Sequence, residues 1–133
     1  MSFTHQLRVR WGEVDAQGVV FNPNYFVYAD VAATEFFRHA GVLVEDHPDL
    51  NQSYVVDARA GFRGSARFDD LLDLEVAVSR IGNSSYDLRI DIRRESELLT
   101  EVSLTYVRAQ DGQSQPLSEA YRTLLTRLLR PED

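Results

Sequence analysis

The chain has no cysteine, no lysine, one methionine and one tryptophan in 133 residues. Without cysteine there are no disulfides, no thiolate metal ligands and no thiol nucleophile. The histidines, His5, His39 and His47, are scattered without metal-ligand spacing, so no metal and no cofactor are expected. Long apolar runs are also missing. No segment approaches the roughly 18–20 apolar residues that span a bilayer, and the opening MSFTHQLRVRW lacks a signal-like stretch. A cytoplasmic location is therefore expected, without a membrane span. The net charge of −7 disfavours nucleic acid as a partner, because neutralising phosphates requires a basic surface.

A hydrophobic content of 44% suits one globular domain over residues 1–133. All 14 basic residues are arginine. GC-rich codon usage explains that bias, and the guanidinium fork also suits phosphate binding. Both readings stay open.

Along residues 5–11, Leu7, Val9 and Trp11 alternate with Gln6, Arg8 and Arg10, the period of a strand with one buried face. Gly12, Gly18, Asn22 and Pro23 then break regular structure. Asn22-Pro23 predicts a helix start with Asn22 as N-cap, and Gly41 predicts its end. That helix is apolar on most sides, with a polar stripe of Asp30, Thr34 and Arg38, and is expected to be wrapped by other structure. After a loop holding Asp46, His47, Pro48 and Asp49, four strands are predicted near 53–62, 70–81, 85–95 and 98–109. Gly82-Asn83 and Glu95-Ser96-Glu97 mark hairpin turns, whereas the loop at Asp111-Gly112 reads as too long for a tight one. Ser118 caps a short amphipathic helix carrying Tyr121, Leu124, Leu125, Leu128 and Leu129. The order predicts an α+β domain whose curved antiparallel sheet covers one long helix.

Asp15 is the best candidate for chemistry. It sits in a glycine-bearing turn just before a helix N-terminus, where exposed N–H groups stabilise an anion. A carboxylate beside such donors supplies a nucleophile or general base together with an oxyanion hole, as acyl transfer requires. Asp15 as a plain turn cap is the competing reading. Glu35 and Asp57 are further acidic candidates, with a paired or solvated role as their alternative.

The run from Arg10 to Tyr25, RWGEVDAQGVVFNPNY, resembles the signature of the 4-hydroxybenzoyl-CoA thioesterase-like hotdog proteins. Asp15, Gly18, Val19, Val20, Phe21, Asn22 and Tyr25 each meet an element of that pattern. A second stretch, Ala66 to Leu72, resembles the segment before the family's third strand, with Ser65-Ala66 where the family usually has Pro-Ala. The resemblance implies a hotdog fold, with a five-stranded curved antiparallel sheet around the long helix and a short C-terminal helix. It implies homodimers with joined sheets, often paired into tetramers, and sites between subunits. The implied reaction is hydrolysis of an acyl-CoA thioester to free acid and CoA. Asp15 would attack the carbonyl or activate water, and the Asn22 backbone N–H would polarise the thioester oxygen. Gly18, Val20, Phe21 and Tyr25 would contact substrate, and Arg59, Arg63 and Arg67 are the candidates for the CoA phosphates. A hydratase of this fold would pair the aspartate with a histidine five residues on, where this chain has Val20. A non-catalytic module binding acyl-CoA or an acyl-carrier protein is the remaining alternative.

Overall fold

The computed structural model describes residues 3–43 and 47–130. Asp46 of the loop reading lies outside them. Five strands form one antiparallel sheet: β1 (Phe3–Arg8), β2 (Ser53–Phe62), β3 (Leu71–Ile81), β4 (Ser85–Arg94) and β5 (Glu97–Gln110). Their spatial order is β1-β3-β4-β5-β2. Alternation sets the faces as the sequence implies. Leu74, Val76 and Val78 of β3, Leu88, Ile90 and Ile92 of β4, and Val102 and Leu104 of β5 all point into the core.

The long helix α1 (Asn24–His39) lies against that inner face. Its buried residues, Tyr25, Tyr28, Ala29, Ala32, Ala33, Phe36 and Phe37, recur at helical spacing. Burying a side chain such as Phe36 or Phe37 contributes about 1.5–3 kcal/mol. Asp30, Thr34 and Arg38 are exposed, as their stripe predicts, and so is Val27 at 51%. Gly41, at φ 79°, ends the helix in a Schellman turn, with its N–H on the Arg38 carbonyl and the Val42 N–H on that of Phe37.

Several details depart from the sequence reading. The first strand ends at Arg8, and Trp11 starts a single 3-10 turn (Trp11–Glu13). That turn breaks the alternation, so Trp11 is not on the buried face but 73% exposed, edge-on to Phe68 at 5.3 Å. Pro23, not Asn22, is the N-cap of α1, and no side chain caps it. Phe21, Asn22 and Pro23 each offer a carbonyl to the N–H three residues on, so the first turn is tightened and no side-chain cap is required. Asp111 and Gly112 do form a tight hairpin. Both have positive φ (53° and 79°), and they return the chain to a two-residue strand β6 (Gln113–Ser114) paired with β5. The loop after α1 contains a four-residue helix, α2 (Pro48–Asn51).

The terminal helix α3 (Glu119–Arg127) is capped by Ser118, whose hydroxyl accepts the Tyr121 N–H at 3.2 Å. It is docked by a buried carboxylate that sequence reasoning missed. Asp49 accepts the Ser118 N–H at 2.9 Å and its hydroxyl at 2.8 Å, and lies 3.4 Å from Arg108. At the far side of the sheet β2 is the edge strand, with Tyr54, Val55 and Val56 at least half exposed.

Candidate active site around the Asp15 hairpin

Residues 14–20 form a small hairpin between β1 and α1, closed by a bridge between Val14 and Val20. The Gly18 N–H donates to the Asp15 carbonyl and the Asp15 N–H to that of Val19, both at 2.9 Å. This is a β-turn followed by a bulge residue with positive φ, and Gly18 at φ 80° occupies that position without the cost a side chain would bring. Within the turn, Asp15 Oδ1 accepts the Gln17 N–H at 2.8 Å. The turn-cap role therefore exists. Asp15 Oδ2 has no partner among the described residues, so half the carboxylate remains available.

The hairpin is stitched to the segment before β3. The Val20 N–H donates to the Ala66 carbonyl at 2.9 Å, and Val19 bridges Arg67. Ala66 in turn donates its N–H to the Tyr25 hydroxyl at 3.0 Å. Tyr25 is thereby a core residue, 1% exposed, with burial pushing its phenol pKa up so that it stays a neutral acceptor. Val20 is buried as well, whereas Phe21 is 55% exposed beside it.

Glu13 is the hub that the sequence did not single out. Its carboxylate accepts the Arg10 N–H and Arg10 Nε, both at 2.8 Å, and the Tyr28 hydroxyl at 3.0 Å. Its carbonyl accepts the Phe21 N–H at 3.0 Å and Asn24 Nδ2 at 2.9 Å. Burial alone would raise the Glu13 carboxyl, but the hydrogen bonds from Arg10 and Tyr28 and the charge of Arg10 hold it below its ordinary value. Tyr28 is pushed up, first by burial and then by its bond to Glu13. The spacing of Arg10 and Glu13 was a legible signal for their pair. The closure onto Tyr28, fifteen residues on, was not.

These contacts single out one donor at the helix start. From Val20 to Phe26 the backbone N–H groups are held by Ala66, Glu13, Phe21, Asn22 and Pro23 carbonyls, except at Asn22. Pro23 has no N–H. The Asn22 N–H alone in that stretch has no acceptor among the described residues.

The three arginine candidates separate. Arg59 pairs with Asp57 at 2.8 Å, and Arg63 with Glu101, on the outer face of the sheet. Arg67 lies beside the hairpin at Val19, exposed, and no carboxylate holds its guanidinium among the described residues. Glu35 pairs with Arg38 at 3.1 Å, which leaves both further acidic candidates in ion pairs. The surface hollows lined by Glu75, Arg89 and Arg93 and by Asp57, Arg59 and Asp87 also lie on the outer face, away from Asp15.

Comparison with known proteins agrees with this architecture. The 4-hydroxybenzoyl-CoA thioesterase of Pseudomonas sp. (strain CBS-3) is 28% identical over 102 residues, covering 70% of this chain and 69% of that protein. An acyl-CoA thioesterase of Haemophilus influenzae is 25% identical over 118 residues, 87% of each chain. The crystal structure of a 1,4-dihydroxy-2-naphthoyl-CoA thioesterase from Synechocystis superposes with a TM-score of 0.83 at 17% identity, over 96% of this chain and 98% of that one. The thioesterase superfamily pattern matches residues 17–101, a segment that begins just after Asp15. With the hotdog arrangement of sheet and helix and a match across most of its length, this chain belongs to the thioesterase superfamily.

Proposed function

We propose that this protein hydrolyses an acyl-CoA thioester to the free acid and CoA. One observation carries the reading. Among the described residues, the Asp15 hairpin leaves one carboxylate oxygen without a partner, and from Val20 to Phe26 only the Asn22 N–H has no acceptor. A carboxylate acting as nucleophile or general base and a fixed N–H donor meet the two demands of acyl transfer. Superfamily membership and relatives named for acyl-CoA substrates support the same chemistry.

In this reading Phe21 flanks the acyl group and Gly18 lets the hairpin approach it, while Val20 and Tyr25, both expected to contact substrate, are core residues at 1% exposure that support the site from behind. Arg67 is the preferred phosphate contact, because Arg59 and Arg63 are already neutralised by carboxylates. The exposed edge of β2, with Tyr54, Val55 and Val56, supports a homodimer with joined sheets; sites between subunits and a tetramer of two such dimers rest on the family resemblance alone. A cytoplasmic location fits a CoA ester as substrate.

A steady-state screen of the purified protein against short, medium, long and aromatic acyl-CoA tests the reaction. Turnover that depends on Asp15 supports it. Tight binding without turnover would instead identify a binding module for acyl-CoA or an acyl-carrier protein.

A further inference from the structure

The Glu13 carbonyl oxygen accepts two hydrogen bonds, and their donors, Phe21 N–H and Asn24 Nδ2, flank Asn22. Helix formation does not require the second. The Asn24, Tyr25 and Phe26 N–H groups are already held by the carbonyls of Phe21, Asn22 and Pro23 at 2.8–3.2 Å. The Asn24 side chain reaches back eleven residues to the far side of the hairpin instead of capping its own helix. Glu13 is itself immobilised through its carboxylate, by Arg10 and by the buried hydroxyl of Tyr28 on α1. Glu13 therefore ties the helix interior to Phe21, just before Asn22, and to Asn24, two residues after it.

We infer that Asn24 and Glu13 are positioning residues that hold the Asn22 peptide as a preorganised donor to the thioester oxygen. This rests on the hydrolytic reading above. A donor helps only if it is already in place when charge develops, and a misplacement of about 1 Å costs up to about a hundredfold in rate. Neither side chain has to touch substrate for this. The effect of losing the clamp therefore falls on kcat, where the transition state is stabilised, and not on KM.

Asn24→Asp tests it. The substitution keeps the size, and an acidic residue suits the first turn of a helix. It replaces the donor to the Glu13 carbonyl with a repelling oxygen. The expected result is a fall in kcat of about tenfold or more, with KM within about twofold and an unchanged thermal midpoint. The ratio of variant to wild-type kcat should also rise as pH falls toward about 4, because a protonated carboxyl regains a donor. Retained kcat, a loss confined to KM, or a loss matched by a lowered thermal midpoint without pH rescue would each overturn the assignment. If Asn24→Asp does not fold, Tyr28→Phe decides. It releases the Glu13 carboxylate from α1 and should lower kcat about threefold at constant KM, and unchanged kcat overturns the inference. An inactive wild type would overturn the hydrolytic reading itself, and the positioning role with it. An active wild type with an equally active Asn24→Asp overturns only the latter.

Discussion

Asp15 holds the N–H of Gln17 with Oδ1 at 2.8 Å and leaves Oδ2 unpartnered among the described residues, so one side chain both shapes its turn and presents a free oxygen. The two roles can be separated. Asn in place of Asp15 retains an acceptor for Gln17 and loses the charge. Asp15→Asn should fold normally, with an unchanged thermal midpoint, and should lower kcat against acyl-CoA by about a hundredfold or more, the scale of losing a principal catalytic group. Full activity in the folded variant would remove Asp15 from the mechanism.

Gly18→Ala isolates backbone strain. A Cβ at Gly18 meets no atom within 4 Å, yet φ is +80°. The expected cost is about 1–2 kcal/mol from the left-handed conformation alone, read as a lower denaturant midpoint at constant m-value. A clash-driven loss would be larger.

Asp49→Ala should be among the most damaging substitutions outside the site. The carboxylate is fully buried and holds both donors of Ser118, with Arg108 at its edge. Removal leaves these groups without their acceptor and loosens α3, at about 3 kcal/mol. Urea unfolding of the variant beside wild type measures it, and a change under about 1 kcal/mol would show that water replaces the carboxylate.

Acid should weaken the Glu13 hub. Its folded carboxyl lies below the ordinary 4.5, so its contribution is present above that value and is lost as pH falls through the lower folded one. Stability of wild type should therefore decline below about pH 4.5, and Glu13→Gln should show a shallower decline there. Thermal midpoints across that window test the sign, and parallel curves would contradict it.

Much of this was legible locally. The alternation in β3, β4 and β5 named their buried faces, Gly41 marked the end of α1, and Ser118 marked the start of α3. These signals depend on neighbours within one turn or one strand. Trp11 was misplaced because periodicity continues past a strand end that only the pairing partner defines. Asn22 was misassigned as a cap because a polar residue before proline usually serves as one, whereas here three carbonyls tighten the first turn. The hairpin at Asp111-Gly112 was missed because its returning strand has two residues and no pattern of its own.

By itself the sequence determined the order of elements, the inward faces and the candidacy of Asp15, because side-chain period and turn chemistry are short-range properties. Only the tertiary structure decided which arginine lies beside the hairpin, that Glu13 binds Phe21 and Asn24 on either side of the Asn22-Pro23 step, and that the Asn22 N–H has no acceptor among the described residues. Those facts depend on hydrogen bonds between residues eleven to fifteen apart and on strand pairing across the sheet. No local spacing encodes which partner a buried donor will find once the chain has closed around it.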